Sequence, residues 1–496
     1  MVQDWQKNVR KSVFEKVTYY SNDEMNKIGT ASLITRTTND ITQLQQFIIM
    51  YRMMIGAPIM MIGGIIMAVS QTPKLSWIIV VIVAIIVVIM AFMLVLIVPL
   101  FKKNQKKLDK LNLVLREFLT SMRVIRAFNR SDDEKKRFKK ANKSLTNTSL
   151  RINLIMAILF PAMMLVMNIS TIAIVWFGGF QVEATTMEIG SLMAFIQYAM
   201  QIMFSVLMFS MIFFLLPRAQ VSAKRINKVL NSQSTIKITE KPVTKFKTLN
   251  GILEFKNVTF RHKGAEEPVL KNITFTAKPG ETRAIIGGTG SGKTTLIDLI
   301  PRFYDIEECE ILIDGVSITD MDMETLRHKI GMVPQQTVLF SGTIAENILY
   351  GKENATDAEL EAAATTAQCL EFTNEKPEGF ETEIAQGGTN LSGGQKQRLA
   401  IARALVRKPE IFIFDDSFSA LDFTTYGKLR KALKENIKDT TMILVAQRVS
   451  NIMDANQILV LDSGKVVGKG THEELYKNNK IYKEIVLSQL SEEEAA

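Results

Sequence analysis

The sequence predicts two structural classes in one chain, an all-α helical transmembrane domain followed by an α/β domain. Apolar residues make up 47% of the 496 residues although 22% are charged, so two kinds of sequence must be joined. Long runs of Ile, Val, Met, Leu and Phe dominate residues 45–217. The remainder alternates strand-like and helix-like segments around a glycine-rich loop, which is the pattern of an α/β fold.

Four apolar segments, near residues 45–70, 75–101, 152–181 and 189–217, are predicted to cross a membrane as helices. The second is almost wholly apolar and long enough to cross about 30 Å of hydrocarbon. Buried helices of a soluble domain are the alternative, but such apolar runs rarely exceed about 14 residues. The fourth segment is predicted to continue as a helix to about Leu230, which makes 1–230 a partial transmembrane domain. A polar linker over 231–250 then leads into the α/β domain over 251–496.

The positive charge of the chain is distributed as a membrane topology requires. The net charge is +10, and the connection over 102–151 is rich in Lys and Arg, whereas those at 71–74 and 182–188 hold one Lys and two Glu between them. The positive-inside rule therefore places 102–151, the N-terminal stretch and everything after 217 in the cytoplasm. This distribution argues against nucleic-acid binding as the reason for the basic charge. Two cysteines, Cys309 and Cys369, give no framework for disulfides or a metal site.

The spans are also dense in methionine, for example Met60, Met61, Met163, Met164, Met203 and Met208. Two interpretations remain open. Soft thioether side chains suit a pocket that accepts many ligands, and they equally suit lipid contact and helix packing.

A glycine-rich stretch organises the α/β domain. Residues 287–294 read Gly-Gly-Thr-Gly-Ser-Gly-Lys-Thr, follow an apolar strand-like run and open a helix-like run. This is the pattern G-x-x-x-x-G-K-[ST] in the strand–loop–helix context that a phosphate-binding loop requires. Backbone N–H groups can cradle phosphates there, while Lys293 supplies a mobile charge and Thr294 offers a hydroxyl to Mg²⁺. The predicted nucleotide contacts are Gly287, Gly288, Thr289, Gly290, Ser291, Gly292, Lys293, Thr294 and Thr295.

Two further segments carry chemistry. The run Ile411–Asp415 reads as a buried strand ending in a carboxylate, and Asp415 at its carboxyl end can hold the Mg²⁺ that bridges nucleotide phosphates. Before it comes a turn rich in N–H groups at the start of a helix, suited to a second phosphate group. An ordinary Ser-Gly-Gly helix cap is the alternative. The residues of this turn are Leu391, Ser392, Gly393, Gly394 and Gln395.

With these motifs, the α/β half resembles the nucleotide-binding domain of ABC transporters, and Leu391–Gln395 matches that family's signature. The resemblance implies that two such domains face each other and hold ATP between the phosphate loop of one and the signature of the other. It also implies that Gln335 contacts Mg²⁺ and senses the γ-phosphate, and that Ser419–Asp422 couples the two sites. ATP and Mg²⁺ are the implied cofactors, with Thr294, Gln335 and Asp415 as the metal ligands.

The helical spans make the whole chain similar to an exporter half. Segments at about 29–40 and 121–128 resemble the two coupling regions that touch the ATPase domains. The pattern of Gly63-Gly64, Asn142 and Arg225-Ile226 resembles bacterial multidrug exporters that work as heterodimers. The resemblance implies ATP-driven export of amphipathic small molecules across the cell membrane. The implied partners are a second half-transporter, membrane lipid and the cargo, with no nucleic acid.

Two residues depart from the family pattern where hydrolysis is expected. Asp416 stands in the place of a glutamate general base, and its carboxylate retreats by roughly 1.5 Å. A base must lie within about 2.6–3.2 Å of its proton, and a misplacement of about 1 Å can cost about 10²-fold in rate. Gln447 stands in the place of a histidine and cannot become positively charged. Together with Gln335 these are the predicted catalytic residues, and the resemblance favours a degenerate site in an asymmetric pair over an active site with tolerated variants.

Three smaller departures are less clear. His262 occupies the place of a tyrosine that stacks on adenine, and its ring can stack with less area or simply lie on a surface strand. Gln386 replaces an acidic residue before the signature, and Cys309 stands where glycine is usual.

An exporter half of this type has six spans, whereas four are predicted here. The first two are therefore expected to be missing, through a mis-assigned start, a split gene or a truncation. Two other functions remain open. One is a truncated regulatory or remnant subunit that binds ATP without transporting. The other is a soluble ABC-type ATPase of repair or translation, against which the four spans argue.

Overall fold

The computed structural model describes residues 2–210, 212–236, 239, 242–244, 250–306 and 308–495. They form two compact units. The first comprises Met1–Val17 and Ala31–Ser232, and the second comprises Thr18–Thr30 and Gln233–Ala496. The described part of the first is helical, whereas the second contains the β-sheets. This confirms the predicted fold class, a helical membrane domain followed by an α/β domain.

Nine helices lie in the described residues before position 231, with a π-helical turn at Arg36–Asp40 and a 3₁₀ turn at Pro73–Leu75. They are α1 (Val2–Thr18), α2 (Asn22–Ile28), α3 (Thr30–Thr35), α4 (Ile41–Gln71), α5 (Ser76–Thr120), α6 (Met122–Ala127), α7 (Ser131–Glu183), α8 (Ile189–Ser210) and α9 (Ile212–Leu230).

Four helical stretches are long and apolar enough to cross a membrane. Among the described residues, these stretches are Thr30–Gln71, Pro73–Thr120, Ser131–Glu183 and Ile189–Phe209. The first three extend well beyond the apolar segments that the sequence predicts, because polar continuations keep the helical backbone. Residue 211, within the predicted fourth span, lies outside the described residues, and α9 ends at Leu230.

Helix α8 holds the apolar core of the first unit together, because it packs against α4, α5 and α7. Its Phe195, Ile202 and Met203 are at most 2% exposed. A Cβ atom at Gly64 of α4 would lie 2.9 Å from Ile202 Cγ1, so this helix crossing depends on glycine. Beyond the apolar core, Lys107 Nζ of α5 donates to Ser144 O of α7 at 2.9 Å, which ties the polar ends of the two long helices.

The second unit contains twelve strands and ten further helices among the described residues. They are β1 (Leu253–Phe260), β2 (Leu270–Ala277), β3 (Thr282–Gly287), α10 (Lys293–Leu299), β4 (Glu308–Ile313), β5 (Val316–Ser317), α11 (Met323–His328), β6 (Ile330–Val333), β7 (Gly342–Thr343), α12 (Ile344–Leu349), α13 (Asp357–Thr366), α14 (Leu370–Asn374), β8 (Glu383–Ile384), α15 (Gly393–Leu405), β9 (Ile411–Asp415), α16 (Phe423–Asn436), β10 (Thr441–Val445), β11 (Gln457–Asp462), β12 (Lys465–Gly470), α17 (His472–Asn478), α18 (Lys480–Leu487) and α19 (Glu492–Ala495).

The six-stranded sheet positions the site. Its order is β12-β11-β3-β10-β9-β6, in which β12 is antiparallel and the other five strands are parallel. Every residue of β9 is buried, with Phe412 and Phe414 in one hydrophobic core and Ile411 and Ile413 in the other. Burial on both faces explains the uninterrupted apolar sequence of this strand. Ligands of open parallel sheets bind outside the carboxyl ends of the strands, which here are the ends of β3, β9 and β10.

A short segment from the N-terminal part of the chain belongs to the second unit. In this segment, Thr18–Thr30, Ser21 Oγ lies 2.7 Å from Thr235 Oγ1. The amide side chains of Asn22 and Asn26 hydrogen-bond Tyr304, just after α10. The sequence interpretation, which divides the chain near 230, did not foresee these contacts. The coupling region proposed at about 29–40 begins where this segment ends, and the proposed linker over 231–250 lies partly outside the described residues.

Candidate nucleotide site

The phosphate loop lies between β3 and α10. A Cβ atom at Gly287 would come within 2.1 Å of Leu461 O, and Gly292 has φ +101°, so both positions require glycine. The amide of Ser291 donates to Gly288 O at 3.2 Å, and the amide of Gly464 donates to Ser291 O at 3.2 Å. These contacts hold the loop as a tight turn against the neighbouring strand β11.

Two side chains in the loop are suited to an anionic ligand. Lys293 Nζ donates to the carbonyl oxygens of Gly287 and Gly288, both at 2.8 Å, so its ammonium lies within the turn. Burial lowers the pKa of Lys293, although Asp415 and Asp416 oppose the shift. Ser291 Oγ is buried without a hydrogen-bond partner among the described residues. A buried hydroxyl without a partner is costly, and a phosphate oxygen would relieve that cost.

Thr294 and Asp415 form the candidate magnesium site. Thr294 Oγ1 donates to Asp415 Oδ2 at 3.4 Å. Asp415 ends β9 and is 4% exposed; burial, then the charge of Asp416, raises its pKa. A hydroxyl and a carboxylate are hard oxygen ligands of the type Mg²⁺ prefers, so these residues fit the ion. The described residues contain no cluster of three or more His, Cys, Asp or Glu side chains that could hold a metal.

Asp416 lies beside these two residues with its own set of donors. Gln335 Nε2 donates to Asp416 Oδ2 at 3.4 Å, and the backbone amide of Gln447 also hydrogen-bonds the carboxylate. Burial raises the pKa of Asp416, and the hydrogen bonds oppose it. Its φ of +47° lies in the left-handed region, where Asp is tolerated better than longer side chains. The three predicted catalytic residues therefore lie together, with Gln447 contributing its backbone.

A third carboxylate belongs to this neighbourhood, and sequence reasoning missed it. Burial raises the pKa of Asp298 on α10 to about 6, and the charge of Asp415 adds to the shift. A carboxylate five residues after the loop lysine gives no motif in the sequence. The sequence shows only that Asp298 lies in the short helical segment after the phosphate loop, and the structure shows that it is partly buried there.

The signature residues begin α15 and lie against the loop that follows β9. Ser392 caps this helix, since Gln395 N donates to Ser392 Oγ at 3.2 Å and Ser392 N donates to Gln395 Oε1 at 2.9 Å. The helix-cap interpretation is therefore borne out as geometry, and it leaves the signature role open. A Cβ atom at Gly394 would lie 3.2 Å from Ala420 O, so the two loops are in close contact. Ser392 is itself exposed.

The segment that follows Gln335 is hydrogen-bonded to the same helix, α15. Thr337 Oγ1, two residues after Gln335, donates to Gln397 Oε1 of α15 at 3.1 Å. Arg403, further along α15, donates to Val338 O at 2.9 Å and to Asn347 O at 2.8 Å. The segment that follows Gln335 is therefore hydrogen-bonded to the helix that begins with the signature.

The three smaller departures have distinct surroundings. The His262 ring packs edge-on against Phe260 and Tyr304, with ring centroids 4.9 and 5.1 Å apart. Gln386 is exposed in a 3₁₀ turn. Cys309 is exposed and has φ +74°, the left-handed conformation that favours glycine. This agrees with the family's usual glycine at that place.

Comparisons with known proteins identify the family of the chain. Residues 1–206 match the family model described as ABC transporter transmembrane region, and residues 270–419 match the model described as ABC transporter. An uncharacterized ABC transporter ATP-binding protein of Mycobacterium tuberculosis is 41% identical, with 97% of this chain and 83% of that protein covered. A fatty acid ABC transporter ATP-binding/permease protein of the same species is 33% identical, with 91% and 71% covered. A solved bacterial Atm1-family ABC exporter with ATP bound aligns with a TM-score of 0.82 at 25% identity, covering 99% of this chain and 86% of that one.

Fold, site and comparisons together define a membrane-spanning P-loop ATPase whose phosphate loop lies in a domain fused to a helical membrane domain. The chain belongs to the ABC transporter family and is an ATP-binding and permease subunit of the exporter type. It is a multi-pass membrane protein with its ATPase domain on the cytoplasmic side.

Proposed function

We propose that the chain is one half of a heterodimeric exporter of amphipathic small molecules, and that its own ATP site hydrolyses slowly. One observation carries the proposal. A complete phosphate loop lies beside Asp416, whose carboxylate is one methylene shorter than the family's glutamate. The residues proposed to bind nucleotide therefore follow the family pattern, whereas the residue proposed to activate water departs from it.

The proposed mechanism follows from the positions of the side chains. Lys293 and the amides of the phosphate loop bind the β- and γ-phosphates, and Thr294, Gln335 and Asp415 are placed to hold Mg²⁺. When bound there, Mg²⁺ would neutralise charge that develops on the phosphates. Asp416 must take a proton from the attacking water, but Gln335 and the Gln447 amide already hydrogen-bond its short side chain. Its reach is therefore limited, and Gln447 supplies no positive charge toward the γ-phosphate.

The signature residues of this chain are suited to complete the ATP site of a partner chain. Ser392 is exposed at the start of a 13-residue helix, and its cap is fully formed. Helix N-termini bind anions through their free N–H groups, so this end suits a γ-phosphate held by another chain. An exposed apolar tip on the first unit, with Val124 57% and Phe128 74% exposed, also suits a protein partner.

Amphipathic cargo is supported by the surface of the membrane helices. A cavity of about 380 Å³ along α8 and α7 is lined by Met167, Met200 and Phe204 together with Gln197, Tyr198 and Gln201. Flexible thioethers beside amide and phenol groups suit ligands that have both an apolar body and a polar group. The M. tuberculosis relative named for fatty acids is consistent with a cargo of this chemistry.

The decisive experiment compares two variants in the reconstituted complex with a second half-transporter that carries Glu and His at the corresponding positions. Ser392→Arg places bulk and charge against the partner's γ-phosphate, so ATPase activity should fall at least about 10-fold. Asp416→Ala removes a base that contributes little and should lower the rate less than about 3-fold. ATP-dependent uptake into inside-out vesicles should follow the ATPase rate in both variants.

Two probes in the uptake assay test the proposed cargo independently of the proposed heterodimer. A fluorescent amphipathic cation tests multidrug export, and a fluorescent fatty acid tests a narrower lipid specificity. If Asp416→Ala abolishes hydrolysis while Ser392→Arg is harmless, this chain carries the working base and the asymmetric proposal is wrong. Normal ATPase activity with uptake of neither probe would instead contradict the proposed cargo class.

A further inference from the structure

A cavity of about 440 Å³ lies in the second unit between α16 and β10. Met442 and Leu444 of β10 form one wall, and Asn451 to Asn456 form another. Phe418, which follows β9, is at one end. The phosphate loop and the signature contribute no residue to its lining. It is large enough for a small organic ligand, since such pockets usually begin at about 300 Å³.

Helix α16 presents one continuous face to this cavity. Tyr426, Arg430, Leu433, Lys434 and the following Ile437 line it, and their spacing of three and four residues is that of a single helix face. The cavity is therefore bounded by a regular element that can hold its side chains at fixed positions.

The floor of the cavity is apolar and aromatic. The rings of Phe418 and Tyr426 pack with centroids 5.4 Å apart, and Leu433 and Leu444 are almost fully buried. Tyr426 Oη donates to Asn451 O at 3.1 Å, which fixes the tyrosine ring across the cavity. Such a floor binds a flat or hydrophobic body.

The rim is positively charged. Arg430, Lys434 and Lys438 line it, whereas Asp454 is its single acidic lining residue. Arg430 forms an ion pair with Asp454. Lys434 and Lys438 are exposed, and in the part of the chain that the structure describes neither is held in an ion pair. Two cationic side chains therefore remain available above an apolar floor.

We propose that this cavity is a binding site for an amphipathic anion, an apolar ring or short chain that carries one carboxylate, sulfonate or phosphate group. The body packs on Phe418, Tyr426 and Leu433, and the anionic group meets Lys434 and Lys438. Such an occupant contacts the segment that carries Asp416: Ser419 Oγ donates to Asp416 O at 2.9 Å, and Leu421 N donates to Phe418 O at 3.1 Å. The site is independent of whether the chain works in a heterodimer.

The test uses photoaffinity labelling of the full chain in lipid nanodiscs. The probe is 4-benzoylbenzoate, and the matched neutral probe is 4-benzoylbenzamide, which has the same body without the charge. Labelled peptides are mapped by mass spectrometry. We expect saturable labelling by the carboxylate within 418–456, at least about 10-fold above the amide at equal concentration. Competition with laurate and with 2-naphthoate distinguishes an acyl-chain ligand from an aromatic one.

Charge variants on α16 provide the control. The double variant Lys434→Glu/Lys438→Glu should reduce carboxylate labelling of these peptides at least about 10-fold, whereas Lys431→Glu, exposed on the same helix but outside the lining, should leave it unchanged. Three results would overturn the proposal. They are equal labelling by both probes, an equal loss in Lys431→Glu, and a failure of both acids to compete.

Discussion

The candidate ATP site has two halves, the phosphate loop that binds nucleotide and the residues proposed to catalyse hydrolysis, and they differ in how closely they follow the family pattern. In the phosphate loop, Gly287 and Gly292 stand where no other residue fits, and Lys293 lies within the turn. After β9 and after β10, Asp416 and Gln447 stand where the family resemblance leads us to expect glutamate and histidine. The phosphate loop thus keeps every residue that its motif requires, whereas under our proposal the catalytic residues have lost reach and positive charge.

This difference indicates that binding and chemistry carry separable constraints in one site. The residues of the phosphate loop are constrained by backbone geometry, because any side chain at Gly287 would place a Cβ atom against Leu461 O. Chemistry depends on the reach of one carboxylate and the charge of one ring, which can change without disturbing the fold. A site of this kind can therefore hold nucleotide in a dimer while turnover depends on the other site.

The largest expected effect is on the binding half. Lys293→Ala removes the ammonium placed among the phosphate-loop carbonyls, so ATP affinity of the full chain should fall roughly 100-fold, which is about 2.7 kcal/mol. Binding of a fluorescent ATP analogue in nanodiscs measures it. The matched control is Lys271→Ala, a half-buried lysine of β2 that pairs with Glu267, and this variant should bind normally. Unchanged affinity in Lys293→Ala would remove the contrast between the two halves.

The two halves also differ in how far sequence alone could describe them. The phosphate loop, the strand ending at Asp415 and the cap at Ser392 were predictable, because each is a local pattern with a required backbone. The contact of Asn22 and Asn26 with Tyr304 joins positions almost 300 residues apart in the sequence, so no local pattern reports it. The left-handed backbone of Asp416 and the burial of Asp298 are likewise set by tertiary packing.

A smaller effect is expected from repairing the chemical half. In a complex whose partner has its own catalytic Glu replaced by Gln, only this chain's site reports. Asp416→Glu/Gln447→His should raise the ATPase rate about 10-fold, because the carboxylate gains reach and the imidazole can contact the γ-phosphate. The gain remains below a full repair, since glutamate at φ +47° costs about 1 kcal/mol more than aspartate.

The single variants sharpen this comparison. Gln447→His alone should change the rate less than about 3-fold, since the base is still short. Asp416→Asn has the same length without the negative charge, and it should leave the low wild-type rate almost unchanged if Asp416 contributes little. A large loss in Asp416→Asn would indicate that the aspartate is already a working base.

Asp298, beside the candidate magnesium site, is expected to affect the stability of the fold in a way that depends on pH. Its folded-state pKa of about 6 lies above the usual aspartate value of 3.8, mainly because of burial. At low pH both folded and unfolded states are protonated, so Asp298 costs nothing. As the pH rises through about 4 to 6 the unfolded state loses its proton first, and the folded protein is progressively destabilised.

The shift corresponds to roughly 3 kcal/mol, which solvent screening of this partly exposed group reduces to about 1 kcal/mol. Asp298→Asn should therefore stabilise the nucleotide-free chain in EDTA at pH 8 and have a much smaller effect at pH 4, as measured by thermal unfolding. Equal stabilisation at both pH values would assign the effect to packing.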